Sequence, residues 1–598
     1  MHNRFATELN KEQLDAVIHT HGPSIIMAGA GSGKTRVLTY KAMYMLESKT
    51  SKPHELLMLT FTNKAAAEMK ERIMHKIDPS LTPQYITART FHSFCVVLLR
   101  KYGPLGKRDR NFAILDTGDQ DSLAKELIKE KPSSLRVSPA SLLNFVSNAK
   151  NMLETPQMQR DAASDFFQEH LAALYMAYEK KMEELNAFDF DDLLAQTARI
   201  FQEKPTILSS VQQNYPYVLI DEYQDTNHAQ YMIASDIGKS TRNITVVGDF
   251  SQSIYSWRGA DFTNLEKFKE DFPESKTFSL ERNYRSTQPI LTAAYNVISN
   301  NTGHPILKLW TDKSQGEEVQ VVGLEHDEEE SVFVVSTLRQ LIEEEGYRPS
   351  EIAILYRVNA QSRIFEEMLI RAGISYKIYG GVRFYERKEI KDVLACLRLV
   401  VNPKDKLSHE RIDKLGKRRS LAIGEKLATI DAQLAPGALL QTILDKTPYL
   451  ELLDPDDDAD ASRLENIKEL VSVAHSFASV QNFLDTIALV ESGYEQEDSK
   501  TEARAVSLMS IHAAKGLEFR AVFVVGLEDG NLPHTRSLTN DKSLEEERRL
   551  LYVAITRAQE RLYLTFVKRR MVYGRTQYYL PSQFLTEAGL VNDDSVMF

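Results

Sequence analysis

"AGAGSGKT", Ala28–Thr35, follows the short apolar run "SIIM" at Ser24–Met27. A strand opening into a glycine-rich turn and then a helix turns backbone N–H groups inward, toward a phosphate. Gly29, Gly31 and Gly33 permit that turn, with Ala28, Ala30 and Ser32 between and before them. Lys34 is placed to reach the β and γ phosphates, and Thr35 to bind Mg²⁺. The run departs from the strict pattern only at Ala28, where glycine is usual. A metal-nucleotide site needs a further carboxylate, and "YVLIDEYQDT" (Tyr217–Thr226) brings two acids to the end of an apolar strand. Asp221 would hold the metal through water, and Glu222 would orient or deprotonate the attacking water. Two adjacent acids there are expensive unless used. ATP hydrolysis with Mg²⁺ is the expected chemistry.

Outward from this stretch, apolar β-rich runs alternate with helical patterns in two separated regions. The first holds "SIIM", "LLMLTF" (Leu56–Phe61), "YVLID" and "ITVVGD" (Ile244–Asp249). The second holds "EIAILYR" (Glu351–Arg357), "AVSLMSIH" (Ala505–His512), "AVFVVGLE" (Ala521–Glu528) and "RLYLTF" (Arg561–Phe566). Continuous apolar strands between helices predict parallel sheets covered on both faces, an α/β architecture with two cores. About a hundred residues of helical periodicity interrupt each core, too many for a loop and enough for a small helical subdomain.

With 598 residues the chain is too long for a single core. No apolar run reaches the length of a membrane span, and "MHNRFATELNKEQ" has no apolar signal core. Cys95 and Cys396 form neither a metal-ligand spacing nor a disulfide framework, so a reducing cytoplasm is expected. The net charge of −11 does not advertise a nucleic-acid binder, so any basic groove must be local. Much acid sits in "EHDEEE" (Glu325–Glu330) and "DPDDDAD" (Asp454–Asp460), both expected as solvated loops.

"TFTNKAAAEM" (Thr60–Met69), "TFHSF" (Thr90–Phe94), "DEYQDTN" (Asp221–Asn227), "VVGDFSQSIYSWRGA" (Val246–Ala260), "LERNYRS" (Leu280–Ser286), "MSIHAAKGLEF" (Met509–Phe519) and "LLYVAITRA" (Leu550–Ala558) occur in this order. With them the chain resembles the UvrD/Rep/PcrA family of superfamily 1 DNA helicases, from about Leu9 to Phe584. The resemblance implies two RecA-like parallel-sheet motor domains, each with a mostly helical inserted subdomain. The corresponding boundaries are 1–107 and 193–277 for the first motor with a helical insertion at 108–192. The second motor takes 278–383 and 501–598, with a shortened helical insertion at 384–500.

The resemblance also assigns roles. Gln13 reads adenine, and Arg36 and Tyr284 sandwich its ring. Gln252 senses the γ-phosphate; Arg285 and Arg557 reach that phosphate across the cleft between the motors; Lys515 and Glu518 belong to the same cleft. Arg557 falls in "LEEERRLLYVAITRAQERL", expected as one amphipathic helix, where a salt-bridged surface arginine is the alternative reading. For the track, Trp257 is the principal base-stacking residue, with Phe61, Tyr255 and Arg258 in support. Thr90, His92 and His512 follow along the strand path, and Tyr573 sits at a hairpin tip that splits the duplex. Core packing is the alternative for Trp257, a buried satisfied histidine for His92, a surface side chain for Gln13, and an ordinary turn for Tyr573.

The chain departs from the family near "LLQTILDKTPYLELLDPDDDAD" (Leu439–Asp460), where roughly fifty residues are missing, and "ERIDKLGKRRSLAIGEKL" (Glu410–Leu427) is altered. It also ends soon after "YYLPSQFLTEAGL", without the longer tail of some relatives. The expected activity is 3′→5′ translocation on single-stranded DNA and unwinding at single-strand/duplex junctions, by a monomeric core, in repair, replication restart or protein displacement. The rivals are a translocase that strips proteins but unwinds poorly, a DNA-binding switch that hydrolyses ATP without moving, and an RNA helicase.

Overall fold

The computed structural model describes the chain except at positions 1, 105, 132–134, 136, 314, 456, 498–503, 573, 574 and 592–598. It forms two compact units, Met1–Tyr284 with His304–Trp310, and Arg285–Gly303 with Thr311–Phe598. Tyr573, expected at a hairpin tip, lies outside the described residues, as does the side chain of Arg258.

The first unit is built on a six-stranded, wholly parallel sheet. Its strands are β1 (Ser24–Ala28), β2 (Leu56–Thr60), β3 (Thr87–Thr90), β6 (Tyr217–Ile220), β7 (Ile244–Gly248) and β8 (Lys276–Leu280), in the order β3-β2-β6-β7-β1-β8. Successive residues feed opposite faces, as the pleat demands. Ile25, Leu57, Leu59, Val218, Ile220 and Val246 enter one core, while Ile26, Leu56, Met58, Leu219 and Val247 enter another. Both faces are therefore apolar, which is why the central strands read as unbroken hydrophobic runs.

A two-stranded parallel ribbon, β4 (Ala113–Ile114) with β5 (Ala187–Phe188), stands at the base of the first helical stretch. Helices Thr117–Glu130, Pro139–Asn151 and Phe166–Glu184 pack there around a separate core that includes Leu123, Leu142, Leu174, Tyr178 and Met182. Beneath it Lys150 is buried against three carboxylates, Glu179 and Asp189 at 2.7 Å and Asp192 at 2.8 Å.

The second unit carries a seven-stranded sheet. It uses β9 (Gln320–His326), β10 (Ile352–Tyr356), β11 (Tyr376–Tyr379), β12 (Val506–Ser510), β13 (Phe519–Val524), β14 (Ala558–Val572) and β15 (Arg575–Tyr578). The order is β11-β12-β10-β13-β14-β15, with β9 also paired to β14, and only β14–β15 is antiparallel. Among the described residues its helical stretch has no core of its own. Leu394, Leu440, Ile467, Leu470 and Phe483 share one buried cluster with the sheet residues Ile352, Ile354, Leu508 and Phe523.

Two sequence expectations are corrected here. "EHDEEE" is not a solvated loop: Glu325 and His326 end β9, and Asp327–Glu330 form the first turn of the helix Asp327–Glu343, where acids suit the helix dipole. Glu330 is fully buried, bonded to Arg570 at 2.9 Å, the Thr565 hydroxyl at 2.6 Å and the Gly526 N–H at 2.9 Å. "DPDDDAD" likewise leads into the helix Asp458–Ala474, with Asp457 as its N-cap. The helix expected through Arg561 ends at Ile555, where the Thr556 hydroxyl bonds back to Tyr552 O, and β14 begins at Ala558.

One buried charge gives the first unit a measurable pH signature. Lys41, on the helix Lys34–Glu47, donates to the carbonyls of Ala16 (3.1 Å) and His19 (2.5 Å). Burial lowers its pKa from 10.5 to about 7. The folded chain thus sheds this proton near neutrality while the unfolded chain keeps it to about pH 10, so stability rises with pH across that window. Denaturant unfolding from pH 7 to 9 should show a slope of at most about 1.4 kcal/mol per pH unit from this group, absent in Lys41→Met. An equal slope in the variant would assign the effect elsewhere.

Candidate functional site

The residues predicted to handle phosphate lie beyond the carboxyl ends of the first unit's strands, where open parallel sheets bind ligands. β1 ends at Ala28 and the loop runs to Gly33, which caps the helix Lys34–Glu47 in a left-handed conformation. Gly31 (φ +65°) and Gly33 (φ +90°) adopt backbone that other residues resist. A Cβ at Gly29 would stand 2.3 Å from a Leu309 methyl, so that side chain would have to move aside. The loop is tied down from outside. Asn283 donates to Ala30 O (2.6 Å), the Tyr284 N–H to Gly31 O (3.0 Å), Gln13 to Ser32 O (2.9 Å), and the Ser32 hydroxyl to Gly29 O (2.8 Å).

Asp221 follows β6 and Asp249 follows the adjacent β7. The Thr35 hydroxyl donates to Asp221 Oδ2 at 3.1 Å, and Lys34 Nζ lies 3.8 Å from Asp249 Oδ2 and 3.3 Å from Ala28 O. Burial first, then the Glu222 charge, pushes the Asp221 carboxyl up to about 7. Burial also raises that of Asp249, with Lys34 pulling the other way. Buried acids held above their ordinary range, beside a hydroxyl, suit a hard divalent cation with oxygen ligands. Thr35 and Asp221 are the residues that fit Mg²⁺. Among the described residues no group of three or more His, Cys, Asp or Glu side chains forms a metal cage. A cation completed by nucleotide and water oxygens requires none.

Glu222 has φ +52°, a left-handed conformation that costs a non-glycine residue about 1–3 kcal/mol. Its carboxylate accepts from Gln224 Nε2 at 2.6 Å. Gln252, on the short turn Phe250–Gln252, is buried and donates to Asp249 Oδ2 at 2.6 Å.

Of the adenine residues, Gln13 is 2% exposed, so the surface reading fails; its amide closes a capping box with Asn10 and reaches the phosphate loop. Arg36 lies over the Tyr40 ring (5.3 Å) and donates to Glu8 O. Tyr284 is half-exposed, with the Arg282 guanidinium 5.1 Å from its ring centroid and its hydroxyl accepting from Asn10. These contacts do not set Arg36 and Tyr284 face to face.

The same sheet edge carries an aromatic staircase. Phe61, just past β2, stacks on Tyr255 (centroids 5.6 Å, planes 8° apart), and Tyr255 meets Trp257 edge-on at 6.3 Å. Trp257 is 52% exposed, which removes core packing as its role. Thr90 is buried and caps the helix Phe91–Tyr102. His92 is held below its ordinary pKa by burial and meets the exposed Phe190 edge-on at 5.9 Å.

In the second unit, Arg285 donates to Glu518 Oε2 at 2.7 Å and to Thr556 O at 3.0 Å. Arg557 is 1% exposed and bonds the carbonyls of Val553 and Leu517 and the Thr556 hydroxyl. A surface arginine is therefore excluded. His512 and Lys515 lie in the turn between β12 and β13, joined by the Lys515 N–H to His512 O.

Comparison with known proteins fits this arrangement. The UvrD/REP helicase N-terminal domain matches residues 9–273, and the UvrD-like helicase C-terminal domain matches 278–455 and 422–569. The chain is 41% identical to the ATP-dependent DNA helicase PcrA of Bacillus subtilis (strain 168), over 98% of this chain and 86% of that protein. It is 39% identical to PcrA of Staphylococcus epidermidis and 38% to PcrA of Staphylococcus aureus, over 98% of this chain and 87% of each. The chain belongs to the UvrD/Rep/PcrA family of helicases. The 639 aligned positions exceed the chain's 598 residues, so part of each relative has no counterpart here.

Within this family frame, several residues at the site were not singled out from sequence. Gln224 and Asp249 sit inside quoted motifs, and Asn283 inside "LERNYRS", so their proximity to the predicted residues was the available signal. Phe190 opens a helix in "FDFDD" and carried no signal beyond its aromatic ring. Leu309 reaches Gly29 from far along the chain, which no local pattern announces.

Trp257→Ala should weaken binding of a single-stranded oligonucleotide by about 1–3 kcal/mol, roughly five- to a hundred-fold in Kd. Anisotropy at fixed salt measures this, with the unfolding midpoint unchanged because the ring is outside the core. A variant that binds as tightly as the parent would remove Trp257 from the track.

Proposed function

We propose that this chain is an ATP-dependent DNA helicase that moves 3′→5′ along single-stranded DNA, acting at single-strand/duplex junctions in repair, replication restart or protein displacement. The observation that carries the reading is one loop with two faces. Asp249 and Gln252 belong to the phosphate-side cluster, and Tyr255 and Trp257, a few residues on, form the aromatic staircase. Lys34 and the backbone of Ala28–Gly33 hold the phosphates, Gln13, Arg36 and Tyr284 the base, and Lys515 and Glu518 the sugar-phosphate side. Glu222 takes the proton from the attacking water. Arg285 and Arg557 offset charge on the transferring phosphoryl group, a role worth about 10³–10⁵ in rate. Thr35 and Asp221 would hold Mg²⁺, which when bound would neutralise charge on the phosphate oxygens. Thr90, His92, His512 and Arg258 line the strand path, and Tyr573 meets the duplex.

A second reading keeps the motor but makes unwinding weak. It is favoured by the helical stretch of the second unit, which shares a core with the sheet rather than standing as a body of its own.

The test is ATP hydrolysis with and without oligodeoxythymidine, oligouridine as the RNA control, and Glu222→Gln beside the parent. DNA stimulation lost in the variant is expected; hydrolysis indifferent to DNA would overturn the motor reading. Streptavidin displacement from the 5′ but not the 3′ end of a strand supports 3′→5′ movement. Unwinding under single-turnover conditions separates the two readings.

Salt gives an independent check. Log Kd for single-stranded DNA should rise linearly with log salt, by about 0.7 per phosphate contacted. A flat response would rule out a phosphate-tracking groove despite the aromatic steps.

A further inference from the structure

Gln224 is fully buried, and both ends of its amide are engaged. Its Nε2 donates to Glu222 Oε2 at 2.6 Å and lies 3.4 Å from Asp225 Oδ2. Its Oε1 accepts the Asp249 N–H at 3.1 Å, and its main-chain carbonyl accepts the Ser253 hydroxyl at 3.1 Å. The amide lies so close to the end of β7 that a Cβ on Gly248 would stand 2.7 Å from Oε1. One side chain thus joins the carboxylate assigned to the attacking water to the first residue of the loop that carries Gln252, Tyr255 and Trp257.

We infer that Gln224 is the positioning residue through which DNA on the aromatic steps sets the orientation of Glu222, and so couples strand binding to hydrolysis. This rests on the reading of Glu222 and Trp257 proposed above. The physical argument has three parts. Glu222 is held in a left-handed backbone conformation that only its surroundings maintain, so a modest change in those surroundings moves it. An amide bonded at both ends is rigid in a buried setting, since turning it would leave the Asp249 N–H or the Glu222 carboxylate short of a partner. Displacement of the loop at Tyr255 and Trp257 passes back through Ser253 and Asp249, the two residues that grip Gln224 from the loop side. A glutamine that merely filled the turn would need neither the bond to Glu222 nor the glycine at 248.

Gln224→Met keeps the volume and removes the side-chain bonds to Glu222, Asp225 and the Asp249 N–H. The full chain is assayed for ATP turnover with and without oligodeoxythymidine, for the KM of ATP, for the Kd of the oligonucleotide, and for thermal unfolding. The expected result is a loss of at least about tenfold in the ratio of DNA-stimulated to DNA-free kcat, with KM and Kd within about twofold of the parent. A ratio kept within about twofold overturns the inference, as does a parallel fall in both rates with a raised KM, the mark of a merely structural residue. Should Gln224→Met fail to fold, Ser253→Ala removes the hydroxyl bond onto Gln224; a ratio lowered about threefold at unchanged Kd supports the coupling, and an unchanged ratio overturns it. If the parent shows no DNA stimulation at all, the motor reading itself has failed, which is distinct from a stimulated parent whose Gln224 variant is equally stimulated.

Discussion

Asp221 and Asp249 end neighbouring parallel strands, and burial opposes the charge on both carboxylates. The nearby positive charge is Lys34, 3.8 Å from Asp249 and folded back onto the carbonyl of Ala28. This is a cluster with more negative than positive charge at a place water reaches poorly, and it is stable only because the sheet fixes the strand ends. The glycines of the loop, the left-handed Glu222 and the buried Gln224 all follow from fitting three charged groups and a phosphate cradle into that edge. A bound cation would offset the aspartates, and a bound polyphosphate would offset Lys34.

The two helical stretches solve different problems. That of the first unit wraps its own core and rests on the β4–β5 ribbon, with Lys150 and its three carboxylates buried at the base. Such a buried ion network is poor evidence for stability. Asn151, the next residue, accepts from Asn227, the cap of the helix that follows the Asp221–Asn227 motif, so the base of this stretch is pinned to the catalytic edge. In the second unit the helices are fused to the sheet through apolar packing, with Arg363–Glu469 (2.7 Å) and Arg387–Asn466 (2.7 Å) as polar ties. Sliding those helices would expose apolar surface and break buried bonds together.

The central strands were legible because both of their faces are buried. β1, β2, β6 and β7 read as continuous apolar runs, and so do β10, β12 and β13. The strands that escaped notice lie at edges, where one face or one side meets solvent and composition is free. β3 is "TART", β8 "KTFSL", β9 "QVVGLEH" and β11 "YKIY". The acidic block at Glu325–Glu330 misled for a related reason: charge was counted as solvent exposure, whereas Arg570, distant in sequence, lies against Glu330 and makes its burial tolerable. Lys34, Thr35, Asp221 and Glu222 could be read because phosphate chemistry fixes their spacing. Their surroundings, Asn283 on Ala30, Leu309 against Gly29 and Gln224 on Glu222, obey only the geometry of the folded sheet.

The loop from Asp249 to Trp257 shows why a motor can be built from so little. Its first residue is held by the Gln224 amide, its fourth bonds the carboxylate beside Lys34, and its seventh and ninth present rings to solvent. The loop has short turns at Phe250–Gln252 and Ser256–Arg258 and no long helix. Stacking on an exposed ring is tolerant of base identity, and phosphate contacts are indifferent to it. The exposed rings and the bond to the carboxylate beside Lys34 thus lie within the same nine residues.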